Sequence, residues 1–138
     1  MKNIYLLSVL MISIPFVVNA QISTDAIIVK LNKIHKTGRI FGNRVTTIFM
    51  NKSDNTLDMD GSVFPIDQVK MNYEFRSDQK INKNAVTIRC TESGCFTNKG
   101  EYNSGLITTS AITIFFKTKE ASYQFINLFA DLQKSINY

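Results

Sequence analysis

The last stretch of the chain, residues 111–138, sets the terms for everything before it. In Ala111-Ile-Thr-Ile-Phe-Phe-Lys117 the side chains alternate, with Ile112, Ile114 and Phe116 pointing one way and Thr113 and Phe115 the other. A period of two marks a strand with one face against a core. From Thr118 the period changes. Ala121, Phe125, Leu128, Phe129, Leu132 and Ile136 recur at helical spacing, and at ~100° per residue they share one side of a helix. Glu120, Gln124, Asn127, Asp131 and Lys134 fill the other side. A helix with so heavy an aromatic stripe needs a sheet or groove to lie on. The residues upstream are expected to supply a sheet, with Val86 and Ile88 joining Ile112, Ile114 and Phe116 on the receiving face.

The opening twenty residues obey different rules. Met1-Lys2-Asn3 is a short positive start, residues 4–18 are apolar apart from Ser8 and Ser13, and Val18-Asn19-Ala20 places small residues before Gln21. This is the tripartite form of a secretory signal peptide. Pro15 interrupts the apolar run, which is shorter than the ~20 residues a membrane span needs. The expectation is cleavage after Ala20, leaving residues 21–138 as one domain with no stable membrane span, in the periplasm or outside the cell.

Composition narrows the classes further. Ten phenylalanines and 44 % hydrophobic residues can build a core without metal or several disulfides. A net charge of +5 is mild, and Lys2 leaves with the signal. That balance weakly favours anionic partners but falls short of a nucleic-acid-binding signature, so no nucleic acid is expected.

Taken in order, residues 24–36 carry two periodicities. Ile27, Val29 and Leu31 alternate as in a strand, whereas Ile27, Ile28, Leu31 and Ile34 fall at helical spacing. A Ser/Thr cap with Asp25 in front, basic residues in the last turn and Gly38 just beyond favour a helix. Val45-Thr-Thr-Ile-Phe-Met50 is β-branched and aromatic, hence a strand. Residues 51–61 are polar and read as a loop. Extended structure resumes at Val63-Phe-Pro-Ile66, because the residue before a proline avoids the helical region. Val69, Met71, Tyr73 and Phe75 then alternate with Lys70, Asn72, Glu74 and Arg76 as a half-buried strand. Residues 77–84 read as a turn region and 85–91 as a strand with Val86, Ile88 and Cys90 on one face. Residues 91–94 form a tight hairpin loop with the return beginning at Cys95-Phe-Thr97, and 98–105 are a second polar loop. Helix, five to seven strands, helix is an α+β domain with a mostly antiparallel, bent sheet or partly open barrel.

The step Phe64-Pro65-Ile66-Asp67-Gln68-Val69 resembles the apolar-Pro-apolar start of a strand in pleckstrin-homology-like domains, including the GRAM type. So do Val86-Thr-Ile-Arg-Cys90 and the junction Phe115-Phe-Lys-Thr-Lys-Glu-Ala121. Over residues 49–135 the resemblance implies a bent antiparallel barrel closed at one end by the C-terminal helix. No Lys/Arg phosphate-binding loop matches, so no lipid-binding residue carries over, and the superfamily hosts many unrelated binding tasks.

Three groups of residues are candidates for chemistry. Cys90 and Cys95 flank a four-residue loop, and in a hairpin they would face each other with Cα atoms ~4.5 Å apart, within reach of a disulfide. An oxidising compartment makes that bridge the expected state. Asp58-Met-Asp60-Gly61 invites a calcium reading, but on the EF-hand template Thr56 and Asp67 occupy the end positions and Pro65 lies between them. A solvated acidic turn is expected there instead. Residues 26–53 hold Lys30, Lys33, His35, Lys36, Arg39, Arg44 and Lys52 with no acidic residue. Lys30, Lys33, Lys36, Arg39 and Arg44 form a candidate patch for an anion or a partner, set against the plainer reading of a solvated helix face.

His35 is the one histidine, and no G-x-S-x-G, H-E-x-x-H, P-loop or dinucleotide fingerprint occurs. No enzyme, metal or cofactor is expected. The chain reads as a small exported binding module whose partner is a protein, a peptide or an anionic envelope component. The alternative is an inhibitor or immunity-type protein that blocks an envelope-acting enzyme, with Glu92-Ser93-Gly94 as the tip of its loop. An enzymatic reading would require a polar cleft that gathers His35 with two carboxylates.

Overall fold

The sheet that the C-terminal helix requires is present, and it is double. A computed structural model describes residues 22–40, 47–78, 81–99 and 106–137. Helix α1 (Thr24–Gly38) leads into strands β1 (Phe49–Asn51), β2 (Thr56–Met59) and β3 (Ser62–Pro65). A 3-10 turn (Ile66–Gln68) precedes β4 (Val69–Asp78), β5 (Ile81–Cys90), β6 (Phe96–Lys99), β7 (Leu106–Thr109) and β8 (Ala111–Phe116), and helix α2 (Lys119–Ile136) closes the order. The strands form a five-stranded sheet, β1-β2-β3-β6-β7, and a three-stranded sheet, β4-β5-β8. All their pairings are antiparallel. The α+β class, both helices and the antiparallel pairing agree with the sequence, and the described residues form eight strands in two sheets where about five to seven in a bent sheet or partly open barrel were expected. The signal-peptide assignment to residues 1–20, Arg44, the start of the 45–50 strand and most of the 98–105 loop lie outside the described residues.

Both helices start as their sequences dictate. The Ser23 hydroxyl accepts from the Ala26 amide, and Thr118 accepts from that of Ala121, each a side-chain cap. On α2 the buried stripe is Ser122, Phe125, Phe129 and Leu132, with Leu128 only half-buried at its margin. Phe129 packs 6.5 Å from Phe64 of β3, and Phe125 packs 5.3 Å from Phe116 of β8, both between ring centroids. The helix is therefore wedged against both sheets, and the core runs through Leu57, Met59, Phe64 and Phe96 on one side and Val86, Ile88, Ile114 and Phe116 on the other. Ile112 of the expected receiving face is only partly buried. Gln133 pins the crossover between the sheets by donating to the carbonyls of Ile66 and Val69, at 2.8 and 2.9 Å.

Several local expectations change. The stretch expected as a loop at 51–61 contains β2, whose Leu57 and Met59 are buried between half-exposed Thr56 and Asp58. Met59 pairs with Ser62, leaving Asp60-Gly61 as a two-residue turn in which both residues have positive φ. This is the type I′ geometry that Asp-Gly favours. The 77–84 turn region shrinks because β4 runs to Asp78 and β5 starts at Ile81. Phe75 lies on the core-side face of β4 yet is 57 % exposed. The β5–β8 pairing ends at Asn84–Phe116, so the tip of the β4–β5 hairpin runs on past the rest of its sheet. Gly38 is the last residue of α1 rather than a cap beyond it. A Cβ there would come within 3.2 Å of Ala121 Cβ and Phe116 Cδ1, so glycine is what lets α1 approach α2 and β8 so closely. Strand β1 begins only at Phe49, because the backbone of Ile48 is held by α1. The Asn32 side chain accepts from the Ile48 amide at 2.7 Å and donates to its carbonyl at 2.9 Å.

Candidate functional site

The two helices run antiparallel. Thr24 Oγ1, at the start of α1, donates to Ser135 Oγ near the end of α2 at 3.1 Å, and Gly38 at the far end of α1 abuts Ala121 at the start of α2. Their core-facing stripes turn inward and leave an open furrow of about 480 Å³ on the solvent side. Lys30, Lys33, Ile34 and Thr37 of α1 form one wall, and Gln124, Asn127, Leu128 and Asp131 of α2 form the other. Both sets are spaced i, i+3, i+4, i+7, the neighbours along one ridge of a helix. Ile34 and Leu128 also pack on the core and make the floor. The rim is polar. Asp131 has Lys134 within 3.6 Å, whereas Lys30 and Lys33 make no ion pair among the described residues. Lys117 Nζ closes one end by donating to the carbonyl of Thr37 at 3.1 Å.

Of the basic residues singled out in the sequence, Arg44 lies outside the described residues and Arg39 turns away from the three lysines of α1. Lys30 and Lys33 line the furrow, and Lys36 is exposed on α1. Arg39 turns inward, where its guanidinium pairs closely with the Asp60 carboxylate. His35 is 0 % exposed and places Nε2 3.2 Å from the same carboxylate. Asp60 is an exposed turn residue, as expected, but its carboxylate also ties the β2–β3 turn to the end of α1. Its neighbour Asp58 accepts from the Gly61 amide at 3.2 Å, and Asp54 accepts from the Thr56 amide and hydroxyl. Among the described residues no group of three or more His, Cys, Asp and Glu is placed to hold a metal ion.

The disulfide between Cys90 and Cys95 is present, with the two Cα atoms 5.6 Å apart. Its setting differs from the one expected. Cys90 ends β5 and pairs with Val69 of β4, whereas β6, which starts one residue after Cys95, pairs with β3 and β7. There is no hairpin between β5 and β6, so the bridge spans the step from one sheet to the other. Thr91, Glu92, Ser93 and Gly94 are all exposed outside it. A four-residue spacing suits a hairpin equally well, and only the distant partners β3 and β8 separate the two cases.

The furrow itself was not legible in advance. Its residues flank the apolar stripes rather than belong to them, and Leu128 reads as core in the helical pattern. A second cavity, about 300 Å³, lies on the outer face of the five-stranded sheet among Phe49, Asn51, Asp54, Thr56, Asp58, Val63 and Thr97. Among the described residues no helix is long and apolar enough to cross a membrane. No family model, curated protein or solved structure matches this chain.

Proposed function

We propose that this chain is a small exported, non-catalytic binding module, and that the furrow between α1 and α2 is its binding surface. The observation that carries the reading is the furrow: an apolar floor of Ile34 and Leu128, a polar rim, and two lysines without ion pairs among the described residues. Such a surface suits a protein, peptide or envelope component that brings both apolar area and negative charge. Export is supported by the signal-like residues 1–20 and by the disulfide, which is compatible with an oxidising compartment. The buried engagement of His35 with Asp60 and Arg39 supports a structural role for the one histidine. A helix laid against two antiparallel sheets keeps the pleckstrin-homology-like relation within this proposal.

The test is site-specific photocrosslinking in the native host. A crosslinking side chain at Asn127, on the rim, should give discrete adducts that the same group at Asn72, exposed on β4, does not. Adducts from both positions alike, or from neither, would sink the reading. The exposed, bridge-anchored residues 91–94 favour one second reading, an inhibitor whose loop enters a cleft of an envelope-acting enzyme. Deleting the gene should then raise sensitivity to lytic enzymes or to rival cells, and unchanged sensitivity removes that alternative.

A further inference from the structure

Building on the furrow as binding surface, we infer that its occupant is a single amphipathic α-helix of a partner protein, carrying acidic side chains towards α1. The shape of the furrow argues for a helix. Each wall is one ridge of an α-helix, eight residues from first to last, and its seven steps make the furrow roughly 10 Å long at ~1.5 Å per residue, or about two turns. A third helix can lay its own ridge between two such walls. An extended peptide cannot be served equally well. Mid-helix N–H and C=O groups are bonded within their helices, so these walls offer a strand no backbone partners. A helix brings its backbone bonds with it.

Charge sets the polarity of that helix. On the α1 wall Lys30 and Lys33 lie one turn apart with no ion pair among the described residues, while on the α2 wall the one charge, Asp131, has Lys134 beside it. Carboxylates at i and i+3 or i+4 on the incoming helix match the lysine pair, and leucine-sized side chains between them meet Ile34 and Leu128. Two other occupants fit less well. A second copy presents the same furrow, and two concave faces enclose a void instead of filling one. The apolar N-terminal run of this chain, residues 4–18, contains no acidic side chain.

The probes are three synthetic helical peptides of about four turns: one with leucines on one face flanked by glutamates, its lysine counterpart, and a scrambled glutamate peptide without a continuous apolar face. Binding to the full chain is measured by calorimetry at low and high salt. The glutamate amphipath should bind about tenfold or more tightly than the lysine peptide. The gap should narrow as salt rises, and the double variant Lys30→Glu, Lys33→Glu should reverse the preference. Equal binding of the glutamate and lysine peptides, or of the amphipathic and scrambled ones, overturns the inference. So does an unchanged preference in the double variant. If adducts form at Asn127 while no peptide binds, the helix inference fails and the furrow survives as a site. If no adducts form, the binding surface itself is wrong.

Discussion

Asp60 Oδ1 lies 3.2 Å from Nε2 of His35, a side chain that is 0 % exposed and twenty-five positions earlier in the chain. The same carboxylate meets the Arg39 guanidinium, so one turn residue engages two side chains at the end of α1. Replacing a partner in such a cluster leaves buried polar atoms unsatisfied. Asp60→Asn retains an acceptor and tolerates the positive φ of the turn but removes the charge. It should lower stability by about 1–3 kcal/mol, read from the urea midpoint. An unchanged midpoint would mean that this contact holds nothing together.

The α2 stripe gives the largest single-residue effect. Phe129 is buried between the helix and Phe64, so Phe129→Ala should cost ~3–5 kcal/mol. Asn127→Ala, on the exposed rim, should move stability by less than ~0.5 kcal/mol. Similar urea midpoints for the two variants would contradict the packing described here.

Because the Cys90–Cys95 bridge closes a short loop, its chain-entropy contribution is only ~2 kcal/mol. The Cys90→Ser, Cys95→Ser double variant should show that loss without added reductant, and dithiothreitol should lower the parent protein to the same midpoint. A parent protein indifferent to reductant would argue that the bridge does not stabilise the junction between the sheets.

Glu74 links stability to acid. The Arg76 side chain hydrogen-bonds its carboxylate and holds the pKa below the usual 4.5. Desolvation opposes that shift, while Thr87 and the charges of Arg76 and Arg89 act in the same direction as the Arg76 hydrogen bond. A folded value below the unfolded one stabilises the fold at pH above the ordinary carboxylate range, and the benefit is lost as pH falls through the folded value. Glu74→Gln should therefore flatten the decline in urea midpoint below about pH 4.5 and leave its shape near neutrality unchanged. An identical acid decline in the variant would assign it to other carboxylates.

The features legible in the sequence are the local ones. The strand at 111–116, the stripe of α2, the cap of α1 and the proximity of the two cysteines follow from periods and spacings within a few residues. Strand β2 was equally local and was obscured by its polar neighbours, although Asp60-Gly61 between Met59 and Val63 carries the hairpin signal. What local pattern could not supply is the choice of distant partners. That choice sends β5 to β8 and β6 to β3, turns Arg39 inward to Asp60, and leaves Phe75 exposed level with the last residue of β8. The furrow depends on the same kind of information, since its walls are helical faces some ninety positions apart that meet only after both stripes are buried.

The antiparallel pairing of α1 with α2 also orders events during synthesis. Helix α1 has as its mate a helix some ninety positions later in the chain, and Ile27 and Leu31 share a core with Phe125, Phe129 and Leu132. Until residues 119–136 have left the ribosome, the apolar face of α1 has no helix to lie against and both sheets lack their wedge. A nascent chain of this design cannot complete its core before residues 119–136 are made, so closure of the core comes late relative to the folding of α1 itself.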